Sequence, residues 1–340
     1  MVAARPHPLR RPRPIAIVDA EMAPMLGPDG APLAARGWYD TESIAQDGGV
    51  LYVGIERVHQ IVRFDYEKDG LLARGYPIDL PRAVRSLPSN KGLEALVFIP
   101  SGHPLAGTLI AISERGLDRE GNIKAFLIGG PGPGSFMVKR TGDYDISDAA
   151  VLAPDDLLVL ERKFSWSSGL AVRIRRIALA GLRAGALVDG PVLMEADLRQ
   201  EIDNVEGLSI HHGAGAETVL TLISDDNFSF AAHVIAAICV GGPLTEPMRM
   251  PNPDQEDAPA VFCSRAFRMR CLRSRARSES SWSLALMRNA SRPPRWSTVR
   301  SALADTRSLT DRPSASEIKV TLRRLGRNRR FVFMLEWLTL

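Results

Sequence analysis

Gly92-Leu93-Glu94-Ala95-Leu96-Val97, followed after a turn by Thr108-Leu109-Ile110-Ala111-Ile112-Ser113-Glu114-Arg115, is the stretch that decides the fold. An acid opens a short apolar strand, Pro100-Ser101-Gly102 supplies the turn, and a second apolar strand closes on another acid. The same pattern occurs upstream in Tyr39-Asp40-Thr41-Glu42-Ser43-Ile44-Ala45 with Leu51-Tyr52-Val53-Gly54-Ile55-Glu56-Arg57. Downstream it returns in Asp145-Ile146-Ser147-Asp148-Ala149-Ala150 with Leu157-Leu158-Val159-Leu160-Glu161-Arg162, and in Asn204-Val205-Glu206-Gly207-Leu208-Ser209 with Leu220-Thr221-Leu222-Ile223-Ser224-Asp225-Asp226. With Glu42, Glu94, Asp148 and Glu206 taken as equivalent, the steps are 52, 54 and 58 residues. Four-stranded propeller blades repeat at about 40–50 residues. Amphipathic strands such as Gln60–Asp65 and Val172–Ile177 follow in their units, and no body segment sustains a long helical period. The sequence therefore predicts an all-β chain, a β-propeller with recognisable blades.

In a propeller the first strands line the central channel, so these acids would form a ring of carboxylates. Like charges at such close quarters repel unless protonated or neutralised by cations. A hard cation such as Ca²⁺, which takes about 6–8 oxygen ligands, is the natural neutraliser. Candidate metal ligands are Glu42, Glu94, Asp148, Glu206, Asp225 and Asp226; Asp225-Asp226-Asn227 crowds three oxygen-bearing side chains without the spacing of an EF-hand. The alternative is architectural, with each acid accepting backbone N–H bonds from the next blade. Glu56, Glu114 and Glu161 each precede an arginine and also suit inter-blade ion pairs. Arg115 and Arg162 are candidates to hold an anion bidentately, and with Glu94 and Glu206 they make up the candidate catalytic set.

The chain has 340 residues with net charge +4, and that charge is unevenly spread. Residues 251–340 hold 17 Arg and one Lys against four Asp and four Glu, a net of +10 that leaves −6 for residues 1–250. Of 28 glycines only Gly326 lies beyond 250, and Cys239, Cys263 and Cys271 all follow residue 235. Two compositions meet near residues 231–240. The cysteines offer neither a disulfide framework nor a Cys-x-x-Cys zinc site. No apolar run approaches the roughly 20 residues of a membrane-crossing helix. Arg10-Arg11 is followed by no apolar signal core, so no export signal is read. The run Arg323–Arg330 lies in no recognisable nucleic-acid reader, and no nucleic-acid or membrane partner is expected. Adjacent His211 and His212 would point to opposite faces of a strand, against a two-histidine metal site. Gly132-Pro133-Gly134-Ser135-Phe136 lacks the spacing of a nucleophile elbow, and Gly129–Gly132 lacks the lysine of a phosphate-binding loop.

Gly92–Leu96, Asp145–Ala149, Leu160–Ser165, Asp203–Leu208 and Leu222–Ser229 together resemble the phytase-like family, also called the "esterase-like activity of phytase" family, over about residues 16–230. The resemblance implies a β-propeller and a hydrolase of phosphate or related esters, in a family whose members are usually exported. It divides the chain into an Arg/Pro-rich segment (1–15), a partial propeller (16–235) and an Arg/Ser-rich tail (236–340), expected to be poorly structured. Against the family pattern an earlier blade with a Ser-Asp-Arg-Gly-like strand end is missing, which predicts a truncated ring. The family closes on a strand like Leu-Leu-Gln-Phe-Ala-Leu, where this chain has Ile235-Ala236-Ala237-Ile238-Cys239-Val240. Codons for the latter, read one base later, give Leu-Leu-Gln-Phe-Ala. A frameshift from about residue 231 is therefore expected, with a natural basic extension as the alternative, and the coding DNA decides between them. The expected activity is metal-assisted hydrolysis of a small phosphate monoester or related ester by a monomer. A non-catalytic cation-binding module and an inactive fragment are the alternatives.

Overall fold

The computed structural model describes residues 23–152, 154–167, 169–200, 202–212 and 218–225, and the backbone of strands Ile235–Val240, Glu317–Leu325 and Arg330–Leu338. Among these residues the structure is almost entirely β-sheet, with one single-turn helix at Tyr66–Asp69 and a few 3₁₀ turns.

The strands form successive antiparallel meanders. The first sheet runs β1 (Thr41–Asp47), β2 (Val50–Ile55), β3 (Gln60–Asp65) and β4 (Gly75–Pro77). The second runs β5 (Leu93–Phe98), β6 (Thr108–Leu117), β7 (Ile123–Gly129) and β8 (Gly134–Val138). The third holds β9 (Asp145–Leu152), β10 (Asp156–Ser165) and β11 (Gly169–Ala178), while β12 (Leu187–Val188) crosses back to lie parallel on β8 before β13 (Val192–Asp197) completes the sheet. The fourth contains β14 (Val205–His212), β15 (Thr218–Ser224) and β16 (Ile235–Val240). The segment for which the sequence raises an altered reading frame supplies β16, paired in regular register with β15. Within the tail, β17 (Glu317–Leu325) and β18 (Arg330–Leu338) pair as a hairpin.

The apolar runs that mark the second strands follow from burial on both faces. Leu109 and Ala111 of β6 pack towards the first sheet, while Ile110 and Ile112 pack towards the third. In β10, Leu157 and Val159 face the second sheet, and Leu158 and Leu160 face the fourth. Period-2 alternation is present, but both sets of side chains are buried, so the strands read as continuous hydrophobic runs. Face-to-face packing brings the first strands together, with β1 beside β5, β5 beside β9 and β9 beside β14. That row carries the acidic markers.

Candidate functional site

The first strands of the first, second and fourth sheets each carry a β-bulge at their marker. Pairing skips Glu42 between Thr41 and Ser43, Glu94 between Leu93 and Ala95, and Glu206 between Val205 and Gly207. A bulge inserts one unpaired residue and re-aims its side chain, which ties the recurring glutamate to a recurring backbone feature. The second strands end in a matching way. The N–H of Glu56 donates to Asp40 O at 2.8 Å, that of Glu114 to Gly92 O at 2.8 Å, and that of Asp225 to Asn204 O at 2.9 Å.

The third sheet corrects the sequence spacing by one residue. Its bulge falls on Ser147, because Ile146 pairs with Glu161 and Asp148 with Leu160. At the end of β10 the position of Glu56 and Glu114 belongs to Arg162, which lies opposite Asp145. A one-residue slip turns side chains to the other face. Asp148 accordingly accepts the N–H of Leu208 on β14 at 2.7 Å and that of Ala149 at 2.8 Å. Burial outweighs those two bonds and pushes its carboxyl up to about 7. Ser43, the corresponding residue of β1, likewise reaches the next sheet and donates to Leu93 O at 3.0 Å. Asp148 thus links β9 to β14. Glu161 turns into its own sheet, where Arg173 Nε donates at 2.6 Å and Arg175 Nη2 at 2.6 Å.

What converges at the strand ends is a carboxylate cluster with one guanidinium in it. Arg162 lies 2.6 Å from Glu206 Oε1 and 3.6 Å from Glu114 Oε1, and it also bonds Asn204 Oδ1. Lys91 Nζ meets Glu114 Oε2 at 2.6 Å, and the N–H of Gly92 donates to Glu56 Oε1 at 2.9 Å. Glu94 is 6% exposed, and among the described residues no hydrogen-bond donor reaches its carboxylate. Burial holds its pKa well above the ordinary carboxylate range, reinforced by Glu42, Glu114 and Glu56 and opposed by Arg162. Glu56 is raised by burial too, partly offset by the Gly92 bond. Asp40, Glu42 and Glu56 can each bring an oxygen within 4.8 Å of the others, and so can Glu56, Glu94 and Glu114. Glu56 is shared by both triads. All-carboxylate donors suit a hard divalent cation.

A family model described as phytase-like, "Esterase-like activity of phytase", matches residues 7–228, about two thirds of the chain. The chain belongs to the phytase-like family. No curated protein matches it. Among solved structures, an α-L-arabinofuranosidase from Podospora anserina is 12% identical, with 68% of this chain and 73% of that chain covered and a TM-score of 0.39. An exo-β-1,3-galactanase from Phanerochaete chrysosporium is 10% identical, with 65% and 50% covered and a TM-score of 0.40. A thermostable family-43 glycoside hydrolase is 9% identical, with 66% and 73% covered and a TM-score of 0.40.

In this phytase-like chain the cluster gathers Glu42, Glu94, Glu206 and Arg162 from the residues singled out in the sequence. Arg115 is engaged elsewhere, with Nε at 2.8 and 2.7 Å from the two oxygens of the buried Asp145. Asp225 ends β15 through its backbone bond, and Asp226 lies outside the described residues. Glu56 and Glu114, which from sequence also suit inter-blade ion pairs, join the cluster, as does Asp40, which is not among the sequence candidates. The signal for Asp40 is Asp40-Thr41-Glu42, two acids in alternation, the second of them at the bulge.

Proposed function

We propose that the sheets are blades of a propeller, that the cluster at their inner strand ends binds divalent cations, Ca²⁺ foremost, and that the site hydrolyses a small phosphate monoester or related ester. The observation that carries this reading is the convergence of Glu42, Glu94, Glu114 and Glu206 from three sheets around Arg162, with Glu56 grouped beside Glu94 and Glu114 and with Glu94 buried and, among the described residues, lacking a donor. So many acids with one arginine and one lysine leave an excess of negative charge that favours cation binding. Asp40, Glu42 and Glu56 would hold one cation, and Glu56, Glu94 and Glu114 a second. A bound divalent cation supplies the Lewis-acid charge that polarises an ester and activates water. The protein's own part is positional. The bulges aim the glutamates, Arg162 presents a guanidinium to an anionic ester, and burial of Glu94 raises the affinity of its carboxyl for a proton, with which a cation would compete.

The competing reading is a cation-binding module without turnover. It is favoured by the pairing of both candidate anion-holding arginines, Arg115 with Asp145 and Arg162 with Glu206. Phosphatase assays with and without calcium separate the two. Hydrolysis reading predicts calcium-dependent turnover that falls at least about tenfold in Glu94→Gln and Glu206→Gln. Calcium-dependent stability with no turnover in the unaltered chain would overturn it and favour the module.

A further inference from the structure

The hairpin joining β10 to β11 continues outward from the cluster, and its side chains differ in kind from those at comparable turns. Pairing of β10 with β11 is unbroken from Asp156 opposite Ala178 to Ser165 opposite Gly169, so side chains alternate strictly along this length. Glu161 and Lys163 share one face, the first against Arg173 and the second over the Tyr144 ring at 4.4 Å. Arg162 and Phe164 share the other. Phe164 thus stands about 7 Å outward of Arg162 on the face that carries the guanidinium into the cluster. Trp166 meets Phe164 edge to face, with centroids 5.4 Å apart at 77°.

Phe164 at 63% and Trp166 at 97% exposure are the two most exposed large apolar side chains among the described residues. Neither contributes to the cores between sheets. The equivalent turn of the second sheet, Asp118-Arg119-Glu120-Gly121, is polar and organised by Asp118 bonds to the N–H groups of Glu120 and Asn122. An exposed aromatic pair set just beyond a charged site has the geometry of a stacking surface.

We infer that Phe164 and Trp166 form a platform for a flat ring on the substrate, so that the ester taken by the cluster carries an aromatic or similarly flat apolar ring next to its anionic group. This rests on the hydrolase reading above and adds to it the substrate class. Calorimetry on the full chain with calcium chloride present compares phenylphosphonate with methylphosphonate, neither of which can be hydrolysed, and phenyl phosphate turnover is measured alongside. The ring is expected to tighten binding about tenfold, and the preference should collapse towards unity in Phe164→Ala and Trp166→Ala. Trp166→Phe should retain it, and both alanine variants should melt with the unaltered chain because the side chains are exposed. Equal binding of the two phosphonates, or a preference that survives both alanine substitutions, overturns the platform while leaving calcium-dependent turnover intact. Ring preference without turnover overturns the hydrolase reading alone. Absence of binding by calcium and by both phosphonates overturns the two together.

Discussion

Replacing Glu161 by Gln should destabilise the chain by about 3–5 kcal/mol, the cost of breaking a buried ion pair by removing one partner. Glu161 has no exposed surface, and Arg175 and Arg173 are 1% and 5% exposed. Both guanidiniums bond its carboxylate, Arg175 through two nitrogens to two oxygens at 2.8 and 2.6 Å. Glutamine keeps the shape but presents one acceptor and no charge. Arg173 would retain Thr141 and Arg175 would retain Asp189, which is 44% exposed by side chain and a weak substitute. Urea denaturation gives the measurement, with a double-mutant cycle against Arg175→Met to isolate the pair. A loss under about 1 kcal/mol would show that Glu161 does not fix β10. Because Arg162 is the next residue on that strand, the same substitution should loosen the guanidinium in the cluster.

Asp148→Asn should flatten the pH dependence of stability between about pH 4 and pH 7. Burial pushes its native pKa up to about 7, from an ordinary aspartate value of 3.8. A carboxyl raised on folding binds more protons in the native state, so its contribution is fully present below the unfolded pKa and is lost as pH rises through the folded one. A change of that size corresponds to about 4 kcal/mol, and because Asp148 is only half-buried, solvent screening trims this to about 2 kcal/mol. Asparagine can accept the Leu208 bond but not both backbone bonds, a constant cost that drops out of the comparison of slopes. Urea midpoints across the window should fall more steeply for the unaltered chain than for the variant. Parallel profiles would place the Asp148 carboxylate in water.

Both predictions turn on residues whose neighbours in sequence do something different, and this is where the amino-acid pattern reaches its limit. Four units, their strand–turn–strand order and the acids at their ends are legible because burial on two faces forces unbroken apolar runs bounded by turns. In the first, second and fourth units the marker glutamate is the bulge residue. In the third, Ser147-Asp148 and Glu161-Arg162 each offer two adjacent candidates, and spacing alone favours the acids. Only hydrogen-bond register distinguishes them, and it moves Asp148 and Glu161 out of the cluster while bringing Arg162 in. Arg115 shows the same limit from the other side. An Asp at 145, thirty residues on in the next sheet, captures it, and no local pattern announces that pairing. Glu56 and Glu114 look like partners for Arg57 and Arg115, yet successive residues of β6 point to opposite faces, and Glu56 and Arg57 open a 3₁₀ turn after β2. Arg57 lies instead over the Tyr39 ring at 5.7 Å.

Calcium titration of the full chain by calorimetry, beside its Glu56→Gln variant, tests most directly whether the cluster is a cation site. Glutamine at 56 can still accept the Gly92 N–H, so the change removes charge from both triads while sparing the backbone link. Calcium is expected to bind the unaltered chain, more weakly as acidification protonates Glu94, and to bind the variant at least about tenfold more weakly. Absence of calcium binding, or equal affinity in the two proteins, would contradict the account.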